Sequence, residues 1–102
     1  MSDENIYRKL SNFRRIAYYT YMNGERMIIE TGRNKRQRQV IGVKITELRK
    51  ILPTNGEREI NYFIHTTRKA YLRKIGKYKY FLIQEEWLNK YISVLRERGV
   101  IQ

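Results

Sequence analysis

The spacing of apolar positions changes several times along the chain, and each change marks an element. Over residues 3–14, Ile6, Leu10 and Phe13 fall at i, i+4 and i+7, which predicts a short N-terminal helix. Ser2 or Asp3 is placed to cap it, because a side-chain oxygen there accepts an orphan N–H of the first turn. Over 14–22 the period becomes two. Ile16, Tyr18, Thr20 and Met22 point one way and Ala17, Tyr19 and Tyr21 the other, as in a strand. Asn23-Gly24 follows, a pair that tolerates the positive φ of a type I′ hairpin turn. Glu25–Thr31 then reads as the returning strand, Gly32–Arg38 as a polar, basic connection and Gln39–Lys44 as a third strand. Thr46 is placed to cap a two-turn helix over 47–52 with Leu48, Ile51 and Leu52 on one face, and Pro53 ends it.

After a turn over 53–57 the pattern begins again. Ile60, Tyr62 and Ile64 alternate with Asn61, Phe63 and His65, which predicts a strand over 58–66. Lys69–Ile75 and Lys77–Ile83 read as two further strands broken at Gly76. The last helix carries the clearest signals. Glu85 and Glu86 complement the dipole at its start, and Trp87, Leu88, Tyr91, Ile92 and Leu95 form a wide apolar stripe. Gly99 is placed as the left-handed residue after its end. The expected core includes Leu48, Ile51, Leu52, Trp87, Leu88, Ile92 and Leu95.

The two halves match when the chain is shifted by 40 residues. Leu48 then lies on Leu88 and Lys50 on Lys90, while Val40, Ile41, Val43, Ile51 and Leu52 meet Tyr80, Phe81, Ile83, Tyr91 and Ile92. The expectation is a single α+β domain over 1–102. It is built from two similar repeats of hairpin, third strand and helix, about 14–52 and 58–99. The plainer alternative is two unrelated strand–helix units, which any α+β domain supplies. A unit of about 45 residues is marginal alone, so two would share one core.

Composition changes the picture through charge. Lys and Arg total 22 against 10 Asp and Glu, a net charge of +12, so association with anionic partners is favoured. Both halves are basic, so this is not a neutral fold with a basic tail. Apolar residues make up 41% of the chain, which argues against disorder despite the charge. No apolar run approaches the ~18–20 residues of a membrane span, and the polar, acidic start Met1-Ser2-Asp3-Glu4 does not read as a secretory signal.

Catalytic chemistry is sparse. The absence of cysteine removes disulfides, thiolate metal sites and cysteine nucleophiles. His65 is the only histidine and Asp3 the only aspartate, so no triad or metal quartet can be assembled. Glu57/Glu59 and Glu85/Glu86 lack the third partner of a metal nuclease site, and no phosphate-loop glycine signature occurs. The expectation is a binding protein with no enzymatic activity, no cofactor and no metal.

The positive charge bunches twice, at Arg33, Lys35, Arg36 and Arg38 and at Arg73, Lys74, Lys77 and Lys79, in stretches without acids. In the second stretch tyrosines interleave, and on a strand Lys77 and Lys79 share one face while Tyr78 and Tyr80 share the other. Clustered cations release counterions from nucleic acid, and aromatic stacking adds about 1–3 kcal/mol per base. The candidate nucleic-acid site is therefore Arg33, Lys35, Arg36, Arg38, Arg73, Lys74, Lys77, Lys79 and Tyr78. High Lys and Arg content is also ordinary surface charge in proteins from hot environments. A second class of function is open: a protein or peptide partner taken as an added strand at a sheet edge, or in a groove between the repeats.

This Ile-, Tyr- and Arg-rich, cysteine-free chain resembles the small orphan proteins of filamentous viruses that infect hyperthermophilic archaea, such as Acidianus filamentous virus. The resemblance implies a thermostable virus protein acting inside the host cell, in its cytoplasm. It supplies no active site.

Overall fold

A computed structural model describes residues 7–53 and 56–102. The caps expected at Ser2 or Asp3, the apolar position Ile6, and Thr54 and Asn55 of the inter-half turn lie outside the described residues. Residues 7–9 are helical, and the chain breaks at Leu10 and Ser11. The elements that follow are α1 (Asn12–Asn23), β1 (Glu25–Thr31), β2 (Arg36–Lys44), α2 (Ile45–Ile51), α3 (Gly56–Thr67), β3 (Ala70–Ile75), β4 (Tyr78–Gln84) and α4 (Glu85–Glu97). The protein is α+β, and each half runs helix, strand, strand, helix.

Two segments expected as strands are helices. Residues 14–22 lie in α1, where Ile16, Ala17 and Thr20 are buried at i, i+1 and i+4. Ser11 caps it by accepting the N–H of Arg14, and Gly24 ends it by donating its N–H to Thr20 O (2.8 Å). Asn23-Gly24 is thus a helix exit, not a hairpin turn, and Gly24 has an ordinary φ of −77°. Residues 58–66 lie in α3, with Ile60 and Phe63 buried at i and i+3. Both segments are rich in Tyr, Ile and Thr, whose intrinsic preference favours strands; burial of one helical stripe outweighs it. The hairpins of the expected repeat therefore lack their first strands. The remaining strands are β1 to β4, each close to its expected place.

The sheet is antiparallel in the order β1-β2-β4-β3. The halves meet in the central β2–β4 ladder, where Gly42 faces Leu82, its counterpart under the 40-residue shift. One face of the sheet carries the helices. Ile41, Val43, Phe81 and Ile83 meet Ile16, Leu48, Phe63, Leu88, Ile92 and Leu95 in a single core. Phe63 is its aromatic hub, stacked on Phe13 (4.4 Å) and edge-on to Phe81 and Trp87. Of the expected core, Leu48, Leu52, Leu88, Ile92 and Leu95 are buried, and Ile51 and Trp87 are half-buried. The helix after β2 starts at Ile45, with Lys44 rather than Thr46 at its cap position; the Glu47 carboxylate accepts the Lys44 N–H (3.3 Å). The exit of α4 fits the expectation for Gly99. That residue takes φ +73°, Val100 N–H donates to Leu95 O and Gly99 N–H to Arg96 O, the paired bonds of a Schellman cap.

Among the described residues the opposite face carries no helix, yet Val40 and Leu82 there are fully buried and Ile29 nearly so, with Met27, Tyr71 and Tyr80 packed on them. The sheet must curl to bury them. Arg73 on β3 donates from Nη1 to the Glu30 carbonyl of β1 (3.0 Å). These are opposite edge strands, about 14 Å apart in a flat sheet at about 4.8 Å per strand, farther than an arginine side chain reaches. The β1–β2 hairpin therefore folds over the free face towards β3. Gly42 allows the close approach, since a Cβ there would lie 2.5 Å from Leu82 Cδ2 and 3.2 Å from Met27 Cε.

Candidate nucleic-acid interface

The two basic stretches form the ends of the two hairpins. Because β2 and β4 run antiparallel, the β1–β2 turn and the β3–β4 turn project from opposite ends of the sheet, at diagonal corners. The expected connection Gly32–Arg38 is shorter: residues 32–35 make the turn, with Gly32 at φ +76° and Lys35 at φ +50°, while Arg36 and Arg38 already belong to β2. The second turn is Gly76-Lys77, with Gly76 at φ +62°. Glycine suits both positive φ values because it has no Cβ to clash.

Period two distributes the strand cations between faces. Arg36 and Arg38 share the free face with Val40, and Arg73 shares it with Tyr71. Tyr78 joins this set beside Tyr80, its ring half exposed, and Lys44 Nζ sits 4.0 Å from its centroid. Lys74 and Lys79 face each other across β3–β4 on the helix side, where Lys79 lines a small pocket with Ile45, Ile60 and Leu72. The division of Lys79 from Tyr78 is the one expected of a strand. Arg33, Lys35 and Lys77 are exposed in the turns.

The candidate set is thus not one patch. The curl brings Arg73, two residues before the β3–β4 turn, to Glu30 on the β1–β2 hairpin, so on the free face it joins Arg36 and Arg38, whereas Lys74 and Lys79 point to the helix side and Lys77 lies in the turn. The ion pairs of the described residues, Arg26–Glu85 (3.0 Å), Arg49–Glu57 and Lys90–Glu86 (3.3 Å), involve none of the candidate cations. Of the free-face strand positions, only Glu25 carries a carboxylate, at the end of β1 away from the turn.

Sequence reasoning missed Lys44, whose side chain reaches Tyr78 through the i, i+2 geometry of neighbouring strands, and the docking of Arg73, which depends on the curl. It also missed Arg15, whose guanidinium donates to the carbonyls of Tyr7, Arg8, Leu10 and Ile51 and ties the N-terminal turn to the end of α2. That arginine is structural.

His65 sits exposed in the last turn of α3 rather than on a strand. Among the described residues, no group of three or more His, Asp or Glu side chains is placed to hold a metal ion. No helix of the described residues is long and apolar enough to cross a membrane. Within the sheet the β2–β4 ladder closes the seam between the halves, while an open groove beside it is lined by Arg26, Ile28 and Gln39 of the first half and Glu85, Glu86 and Asn89 of the second; among the described residues the unpaired edges are β1 and β3. No protein-family model, no curated protein and no solved structure matches the chain.

Proposed function

We propose that the protein is a non-catalytic nucleic-acid-binding module whose main contact is the β1–β2 hairpin with Arg73 docked against it. The observation that carries this reading is the gathering of Arg33, Lys35, Arg36, Arg38 and Arg73 around the β1–β2 hairpin, with none of them ion-paired to a carboxylate among the described residues. Bound phosphates would release their counterions, and the affinity would fall linearly with log salt. Lys74 and Lys79 on the helix side, with Lys77 in the β3–β4 turn, form a second, weaker contact. In the resemblance to archaeal virus proteins, this activity belongs in the cytoplasm of the host.

Titration of labelled single- and double-stranded DNA of arbitrary sequence, at low and at near-physiological salt, tests the reading. Binding at low salt that weakens steeply with added salt is expected. Absence of binding at low salt contradicts it. The β1 and β3 edges would then favour the rival reading, a peptide added as a strand, whose binding is nearly insensitive to salt.

We also infer that the halves are an internal repeat of helix, strand, strand and helix. The repeated element order supports this, as does the ladder in which Gly42 faces Leu82. Backbone coordinates from NMR should superpose residues 36–51 on 76–91; divergent helix paths after the strands would contradict it.

A further inference from the structure

The β1–β2 hairpin outruns the rest of the sheet. The β2–β4 ladder covers only Val40–Lys44, so Arg36–Gln39 pair with β1 alone. The end of the hairpin is a two-stranded ribbon closed by the turn Gly32-Arg33-Asn34-Lys35. Its two faces differ sharply. The inner face is held against the molecule: Ile29 is buried, Arg38 is half-buried, and Arg73 binds the Glu30 carbonyl. The outer face is free. Ile28 is 65% exposed, and Glu30, Gln37 and Gln39 are exposed around it.

The register arranges these outer side chains as a compact patch, with Ile28 opposite Gln39 and Glu30 opposite Gln37. This is an unusual set for a surface that only repels aggregation or binds phosphate. A glutamine side chain matches the N6 and N7 groups of adenine, a carboxylate accepts from N4 of cytosine, and an apolar side chain meets the thymine methyl. Each of these groups lies in the major groove, which is about 12 Å wide and admits a two-stranded ribbon. Arg33, Lys35 and Arg36 flank the patch at the turn, where phosphates would run along the groove walls.

We propose that the ribbon lays its outer face in the major groove of duplex DNA and reads base edges with Gln37 and Gln39, Ile28 contacting a thymine methyl. The inference rests on the nucleic-acid reading above and narrows it to a duplex with a sequence preference. Docking by Arg73 and Ile29 serves it, because a ribbon fixed from behind presents its outer face with little loss of freedom on binding. The carboxylates near the patch fit this arrangement. An open groove of about 860 Å³ separates the ribbon from the start of α4, lined by Arg26, Ile28, Gln39, Glu85, Glu86 and Asn89. There Glu85 is neutralised by Arg26 and Glu86 by Lys90. Glu30, on the patch itself, has no such partner among the described residues and penalises phosphate contact, which favours approach to base edges over approach to the backbone.

Selection from a pool of duplexes with a randomised centre, at moderate salt, tests the proposal with the wild type and with Gln37→Ala/Gln39→Ala. Both glutamines are exposed, so the variant retains its fold, which circular dichroism verifies. The wild type should enrich a short motif, with a preference of about five-fold or more at each preferred base pair. The variant should lose that preference while its low-salt binding to unselected duplex changes less than two-fold. Absence of enrichment by the wild type, or the same motif from the variant, overturns the base-reading role while leaving phosphate binding intact. Failure of the wild type to bind any duplex at low salt overturns the nucleic-acid reading as well.

Discussion

The two hairpins of the sheet occupy equivalent places and do different work. Hairpin β3–β4 is short, closed by the two residues Gly76-Lys77, and only its last two pairs, Lys74↔Lys79 and Ile75↔Tyr78, pass the end of the β2–β4 ladder. Hairpin β1–β2 has strands of 7 and 9 residues and a longer turn, and its outer end runs past the point where β4 stops. The excess length, residues 28–39, is mostly polar, with Arg33, Lys35, Arg36 and Arg38 among its side chains. Chain added for stability would be apolar and buried. Here only Ile29 is; Thr31 and Arg38 are half-buried and the remaining side chains are exposed. The shared frame accounts for folding, and the difference between the hairpins is the observation behind the proposed binding surface.

The frame should yield the largest effects. Leu88 is fully buried at the centre of the core, so Leu88→Ala should cost about 2–5 kcal/mol in urea unfolding. A loss below about 0.5 kcal/mol would mean that α4 does not present this face to the sheet.

Glycine substitutions then compare the turns. Gly32→Ala and Gly76→Ala each place a Cβ at positive φ with open space around it, so the cost is backbone strain alone, about 1–2 kcal/mol. The two-residue turn has little slack to relieve that strain. The longer turn already holds Lys35 at φ +50° and can redistribute it. Gly76→Ala should therefore lower the melting temperature more than Gly32→Ala, and the reverse order would contradict the account of the turns.

The smallest effect concerns the docking of the arm. Arg73→Ala removes the hydrogen bond to Glu30 O and should cost about 0.5–1.5 kcal/mol. Its more specific signature is local: amide exchange in 28–31 and 36–39 should accelerate while exchange in β4 is unchanged. Equal acceleration in both hairpins would show that Arg73 does not hold the arm.

Much of the frame was legible in the sequence. Apolar alternation in 25–31, 39–44 and 77–83 marks true strands, and the stripe from Trp87 to Leu95, closed by Gly99, marks a true helix. Residues 14–22 and 58–66 were misread because Tyr, Ile and Thr alternate there by composition, while the burial that selects helix comes from distant partners. Phe63, for instance, faces Phe81 and Trp87. The Ser11 cap was a local signal that favoured the helix. The basic stretches were visible as charge, but their placement at turns on opposite ends of the sheet follows from strand order. The recruitment of Arg73 to the first of them follows from the curl of the sheet. Neither is encoded within a short window of sequence.

The most direct test of the central claim compares the two hairpins in one assay. Affinity for a random-sequence duplex is measured against salt for the wild type, for Arg33→Gln/Lys35→Gln/Arg36→Gln and for Lys74→Gln/Lys77→Gln/Lys79→Gln. Each phosphate contact contributes about 0.9 to the slope of log affinity against log salt. The account predicts the larger reduction in slope and in low-salt affinity from the β1–β2 variant, whose cations act together with Arg38 and Arg73. An equal reduction from both, or a wild-type slope near zero, would contradict it.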